Sequence, residues 1–396
     1  MILVTGATGN VGRHVVDGLL ARGADVRALV RQPLLAGLPD GVEVVAGDIT
    51  EPETVRKAAA GAEAAFLLWP SYSADGAAPV VAALTEQVAR VVYLSALNVD
   101  DAQPASLNGV WGQVEELLAE SDADWTFLRP GGFATNTLEW AEEIRSGEPV
   151  AMPSPKAGRS LIHERDIADV AVLALLDESH SGKKYLLTGP EVLTQAEQVA
   201  AIGAAVGREI QVEEQSAEQA RAAMLAAGAD PVFVESGLRY WESLVDSPEP
   251  VHSTYAELTG RPGRTYQEWV DEHRDEFRVL STQEVAAEFV EAFRTGEFAR
   301  GTKLQAADVV RVSPSEYAGE LVGQVAIMEN AVRALGGHQI TTVDILGPLV
   351  SPNHFAARFT FHFAGEEPET TKLSLYTVTK GKITREEVFY YTEPVN

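Results

Sequence analysis

Three glycines near the start of the chain, Gly6, Gly9 and Gly12, stand at G-x-x-G-x-x-G spacing directly after the apolar run Ile2, Leu3 and Val4. Missing Cβ atoms permit a tight turn and let the backbone come close to a pyrophosphate. Val11, Val15, Val16, Leu19 and Leu20 then recur with the helical period, and Gly23 ends the pattern. A helix starting there turns uncommitted N–H groups and the positive end of its dipole toward an anion. A plain glycine-rich turn has the same composition. Position favours the dinucleotide: a strand precedes the glycines, a helix follows, and the apolar residues 26–30 complete a strand-helix-strand unit. Where an NAD-preferring site places an acid against the ribose 2′-OH, this chain has Arg31 and Gln32. A guanidinium suits a 2′-phosphate, and Arg13 is a second candidate for it. The expected cofactor is NADPH, with NADH second; a solvated surface Arg31 is the plain alternative.

The elements that position this turn continue in the same rhythm. Residues 42–45, 64–68, 90–95 and 125–128 read as strands, and 51–60 and 111–120 as helices. Alternation of this kind predicts an α/β fold with a doubly wound, Rossmann-type parallel sheet, whose ligands bind beyond the carboxyl ends of the strands. The residues at those ends are the candidate cofactor contacts: Asp48 and Ile49, Leu68 and Trp69, Ser95 and Ala96. Asp48 either accepts from the adenine amino group or caps the helix after it.

Composition narrows the partners. Asp and Glu outnumber Lys and Arg by 58 to 31, which opposes nucleic-acid phosphates and anionic lipid. Cysteine is absent, which removes disulfides and thiolate chemistry and fits a reducing cytoplasm. The histidines form no H-x-x-x-H pair, so no metal site is expected. The first residues already read as a strand and no apolar run reaches a membrane span, so the expectation is a cytoplasmic protein without leader or anchor.

In GATGNVGR, the LVR after the second strand, GDI after the third, YLSA, WTFLRPGGFATN and SLIHERDIADVA, the chain resembles the NmrA-like branch of the atypical short-chain dehydrogenase/reductase superfamily. The resemblance covers residues 1–278 and includes LTGRPGRTYQEWVDEHRDEFR. It implies that Thr8, Asn10 and Val11 contact the dinucleotide with the glycines. It also implies that Pro130, Gly131 and Phe133 lie along the nucleotide, and that Phe133, Asn136 and Trp111 meet the substrate. Members include quinone and dye reductases as well as regulators that bind the nucleotide without known chemistry. One departure matters. The Tyr-x-x-x-Lys pair of ordinary short-chain dehydrogenases is missing, with neither Tyr nor Lys between Ser95 and Leu128. Trp111 stands where many relatives carry Lys or His, and an indole only donates a hydrogen bond. Hydride transfer would then need no strong protein acid, as in quinone reduction, or would borrow a proton from Ser95, solvent or a second domain.

From Ser281 the pattern changes to helix, short strands, helix and a run of long strands, an α+β domain. In AFRTGEFA, ELVGQVAIMENAV and YTVTKGKITREEVFYYTEP, residues 281–396 resemble the SnoaL-like polyketide cyclase and ketosteroid isomerase group of the nuclear-transport-factor-like superfamily. This implies a cone-shaped sheet around a cavity, often dimerising through the sheet. Strand alternation in HFAARFTFHF sets Phe355, Phe359, Phe361 and Phe363 on one side, and His354, Arg358, Thr360 and His362 on the other. Arg358, His362, Tyr376 and Glu387 are the candidate catalytic set for proton transfer beside a carbonyl. A solvated strand face is the alternative. The expected function is an NADPH-dependent reductase fused to a cyclase- or isomerase-like domain, acting on an aromatic polyketide or quinone-type molecule. A nucleotide sensor without turnover, or a cyclase with a scaffolding Rossmann domain, are the other readings.

Overall fold

Short apolar runs separated by amphipathic helices bury both kinds of surface when the strands line up in parallel and the helices cover the sheet. The computed structural model shows this arrangement. It describes residues 1–33, 36–226, 228, 231–313, 319–335, 340–364 and 369–391. These fall into two units: Met1–Arg31 with Leu38–Arg278, and a second that starts at Val279 and takes in Gln32–Gly37.

In the first unit the strands are β1 (Ile2–Thr5), β2 (Val26–Val30), β3 (Glu43–Ala46), β4 (Ala64–Leu67), β5 (Arg90–Leu94) and β6 (Asp124–Pro130), with Lys183–Leu187 at the edge. Their order is β3-β2-β1-β4-β5-β6 and then the edge strand, all parallel. Val4 pairs with Ala28 on one side and Phe66 on the other, so the strand order reverses between β1 and β4. The crevice at the carboxyl ends of those two strands is where this topology takes a ligand. Helices α1 (Gly12–Leu20), α2 (Pro52–Ala59), α3 (Ala77–Thr85) and α4 (Gly109–Ala119) alternate with the strands. Leu3, Val4, Phe66, Leu67, Val91 and Leu128 are wholly buried between the layers. β6 runs two residues beyond the expected 125–128, to Pro130. Arg129 and Pro130 pair there with Leu186 and Leu187, a partnership nearly sixty residues away that local pattern does not carry.

The second unit holds a mixed six-stranded sheet in the order Glu320–Val322, Gln305–Val312, Lys382–Tyr390, Thr370–Thr379, His354–Phe363, Ile340–Val350. Only Gln305–Val312 and Lys382–Tyr390 pair in parallel among these described strands. Lys380 and Gly381 both have positive φ, at 49° and 73°, the backbone of a type I′ hairpin turn. Helix Thr282–Arg294 begins with a reciprocal cap between Ser281 and Glu284 and buries Val285, Ala286, Phe289 and Val290. Its Phe289 ring stands 5.0 Å from Tyr376 and 6.0 Å from Phe355 on the sheet. Among the described residues no helix is long and apolar enough to cross a membrane, and no His, Asp and Glu group is placed to hold a metal.

Candidate functional site

The glycine turn is built by close backbone approach. Gly6 is left-handed, with φ of 63°, and accepts from the Gly9 N–H at 2.9 Å. A Cβ on Gly12 would sit 2.1 Å from the Gly6 carbonyl oxygen, so only glycine lets α1 start this near β1. Among the described residues no side chain caps α1, and its first turn carries no acid. The uncapped helix end fits the pyrophosphate of a dinucleotide. Thr8 and Asn10 are exposed on the rim, while Val11 is buried as an anchor. The Arg13 guanidinium donates to the carbonyls of Gly9, at 3.1 Å, and Thr8, at 3.2 Å, and so braces the turn.

Arg31 is exposed just past β2. The Asp48 carboxylate accepts from both the backbone N–H and the hydroxyl of Thr50, each at 2.9 Å. Those bonds, and after them the Arg31 charge, hold it below the usual carboxylate range. Asp48 thus closes a local turn with Thr50 ahead of α2 rather than capping that helix, whose N-cap is Glu51, while Ile49 packs on the core.

The other half of the crevice lies over β4, β5 and β6. The Thr5 hydroxyl donates to the Phe66 carbonyl at 3.0 Å and accepts from the Leu68 N–H at 2.9 Å, tying β1 to β4 at the reversal. Trp69 donates its indole N–H to the Ser73 carbonyl, which braces the loop after β4. Leu97 donates to the Pro130 carbonyl, Gly131 to that of Leu187, and Phe133 bridges Ile162. Ala96 is half-buried and Asn136 is exposed. Trp111, half-buried on α4, has the exposed Tyr72 ring edge-on at 6.3 Å. Tyr72 comes from the loop after β4, outside the 95–128 stretch where a tyrosine was sought. Its place at the carboxyl end of a sheet strand was the signal that could have found it.

Ser95 is not available as a borrowed acid. It is buried, and its hydroxyl donates to Glu115 on α4. Glu115 in turn takes Arg129 as a two-pronged pair, at 2.9 and 2.6 Å, with both side chains almost wholly buried. Arg129 also donates to Asp101, which Lys184 reaches at 2.6 Å. This network ties β5, α4, β6 and the edge strand together beneath the crevice.

A family model described as NAD(P)H-binding matches residues 6–178. The (4-alkanoyl-5-oxo-2,5-dihydrofuran-3-yl)methyl phosphate reductase of Streptomyces griseus is 37% identical over 283 residues, which are 70% of this chain and 99% of the relative. Over that span the chain belongs to the NmrA-like family of NAD(P)H-binding reductases. The NAD(P)H azoreductase of Xenophilus azovorans is 34% identical over an equal share. The NmrA-like fold is shared with the NADPH complex of an Escherichia coli quinone oxidoreductase, at a TM-score of 0.58, 23% identity, and coverage of 69% of this chain and 99% of that one. The NADP(H) complex of a Citrobacter triphenylmethane reductase gives 0.57 at 24%, covering 68% and 99%. The cofactor is NAD(P)H, which supplies a hydride when bound. The matched span is 70% of this chain and 99% of the relative, and the second unit from Val279 onward accounts for most of the remainder.

There the structure corrects the shared cavity expected of Arg358, His362, Tyr376 and Glu387. Phe355 pairs with Tyr376 and Tyr376 with Glu386, so all three face the helices. Arg358, His362 and Glu387 project from the opposite face of the sheet. Arg358 is exposed, His362 lies between Asp344 and Glu369 at 2.9 and 3.1 Å, and Glu387 pairs with Arg385 at 3.0 Å. Side chains alternate with a period of two, so reading Glu387 for Glu386 moves the acid to the wrong face.

Proposed function

We propose that the NmrA-like unit is an NADPH-dependent reductase of a planar, quinone-type or aromatic polyketide molecule. The uncapped end of α1, with Arg31 along the sheet, carries this reading. A dinucleotide with its pyrophosphate on α1 and its 2′-phosphate at Arg31 would extend its nicotinamide over β4 and β5, beside Tyr72 and Trp111. Those two rings suit a flat conjugated acceptor, and Phe133 and Asn136 would border it. Quinone reduction also asks little of a protein acid, because the ring stabilises the product oxyanion. Relatives named as an azoreductase and a furanone phosphate reductase support reductase chemistry. Anaerobic NADPH oxidation with a panel of naphthoquinones tests it. Turnover with NADPH preferred over NADH is expected; tight nucleotide binding with no turnover across the panel would leave a sensor.

A cyclase- or isomerase-like role for the second unit, on a SnoaL-like cone, is favoured by the aromatic-walled cavity on its helix-covered face. Of the four residues first considered, Tyr376 alone stands by that cavity's polar floor. The outer face fits a homodimer. Leu346, Leu349, Leu375 and Phe389 share it with Arg358 and Glu387, and are 65%, 77%, 37% and 49% exposed. Sedimentation of the full chain is expected to show a dimer that Leu375→Glu dissociates; a wild-type monomer at every concentration would remove the interface.

A further inference from the structure

Gly132 stands just past the carboxyl end of β6, and the space a side chain would need there is taken by a cation. A Cβ on Gly132 would lie 2.0 Å from a terminal nitrogen of Arg159 and 2.7 Å from its Cζ. The backbone beneath is fixed: the Gly132 carbonyl accepts from the Ile162 N–H at 2.9 Å, and the Gly131 N–H donates to Leu187 at 2.8 Å. Arg159 belongs to the short strand Gly158–Arg159, which pairs with Leu193–Thr194. Its guanidinium therefore lies on the segment after β6, one residue before Phe133, which would border the acceptor.

The guanidinium is held by one edge. Its Nε donates to Glu249 at 3.1 Å. Glu249, only 2% exposed, also accepts from the Ser160 N–H at 2.9 Å and from the Tyr240 hydroxyl. The Tyr240 ring centre is 6.0 Å from the guanidinium carbon, so carboxylate and ring together set the direction of the fork. A guanidinium has five N–H donors, and the Glu249 bond uses one. Among the described residues no hydrogen bond takes the terminal nitrogens, and neither of them is sealed from solvent. Glu139 feels the Arg159 charge but makes no ion pair with it. An arginine serving only to neutralise a buried carboxylate would meet it with two prongs, as Arg129 meets Glu115. Arg159 instead presents its outer prongs to the crevice.

We propose that Arg159 is a substrate-binding residue of the NmrA-like unit, and that the flat acceptor carries an oxyanion substituent, of the carboxylate or sulfonate type, gripped by the terminal nitrogens of Arg159. The proposal rests on the reductase reading for where the acceptor lies. Two parallel N–H groups match two oxygens of such a substituent. The acid excess of the chain repels an anion at long range, so its recognition has to come from a cation fixed at the site. Glu249 and Tyr240 are positioning residues for that cation.

The test compares kcat/KM of the full chain, saturated with NADPH, for 1,4-naphthoquinone-2-sulfonate and for 2-methyl-1,4-naphthoquinone. The two quinones differ in intrinsic reactivity, but the change in their ratio between variants does not contain that difference. Arg159→Met is expected to lower the sulfonate-to-methyl ratio about tenfold or more, the worth of one charge-assisted hydrogen bond, with the loss in KM for the sulfonate. Arg159→Lys, which keeps the charge without the fork, is expected to recover part of it. Gly132→Ala keeps both Arg159 and Glu249 and is expected to lower the ratio too. The atoms its Cβ meets are the far ends of the Arg159 and Leu161 side chains, so the fork moves aside and the backbone stays, which covers a failure of Arg159→Met to fold. Arg22→Met, the same charge change at an exposed site beyond α1, is expected to leave the ratio alone. A ratio unmoved by Arg159→Met and Gly132→Ala, or moved as far by Arg22→Met, overturns the assignment. Calorimetric binding of naphthalene-2-sulfonate and its neutral sulfonamide to the chain saturated with NADP+ reads the same contact without turnover. A sulfonate preference that Arg159→Met erases supports the contact even where neither quinone is reduced, an outcome that removes the reductase reading alone; a preference that survives in Arg159→Met overturns it.

Discussion

Glu115→Ala is expected to destabilise the first unit by about 3 kcal/mol or more, the penalty of leaving a buried cation without its main partner. Arg129 would keep the Val99 carbonyl and, as its charged partner among the described residues, Asp101, a carboxylate 58% exposed and shared with Lys184. Ser95 would lose its acceptor in the same step. All six tryptophans of the chain lie between Trp69 and Trp269, so urea unfolding followed by their fluorescence reports the first unit. The midpoint is expected to fall sharply. Glu115→Leu combined with Arg129→Met should recover most of the loss, because replacing both charges removes the orphaned cation. A single variant as stable as the wild type would mean that the pair contributes nothing net.

Gly9→Val is expected to abolish nucleotide binding while leaving the fold in place. A Cβ there meets only the Gly6 carbonyl oxygen, at 3.1 Å, with nothing else within 4 Å. The turn must therefore give by only a few tenths of an ångström, and the isopropyl group projects into the open side of the turn. Arg31→Asp separates the two nucleotides instead. It should weaken NADPH by about 2 kcal/mol or more, through a lost charge-assisted pair and a new repulsion, and barely change NADH. Nucleotide affinity unchanged by Gly9→Val would contradict the turn as the pyrophosphate site, and equal losses for both nucleotides would contradict Arg31 as the 2′-phosphate contact.

What the sequence displayed well was local. The apolar runs, the glycine spacing and the change of pattern after Phe277 are each written within a few neighbouring residues, and a parallel sheet follows from their alternation. The Glu115–Arg129 pair was hidden because it joins a helix to the next strand through tertiary packing. Tyr72 was hidden because its meeting with Trp111 depends on which strand ends are neighbours. In the second unit, alternation correctly divided the faces of His354–Phe363. It could not supply the register of the adjoining strands. Tyr376 faces Phe355 only because of the cross-strand pairing, and Glu386 rather than Glu387 follows from the next pairing along.

NADPH held on the glycine turn is expected to give its hydride to a flat conjugated acceptor over β4 and β5. The most direct measurement is an anaerobic single turnover of the full chain with NADPH deuterated at the transferring position of nicotinamide C4, mixed with 1,4-naphthoquinone. Loss of one NADPH per quinone reduced, a slower decay than with unlabelled cofactor, and recovery of oxidised nicotinamide free of the label are expected. NADPH that stays bound and reduced in the presence of excess quinone would contradict it.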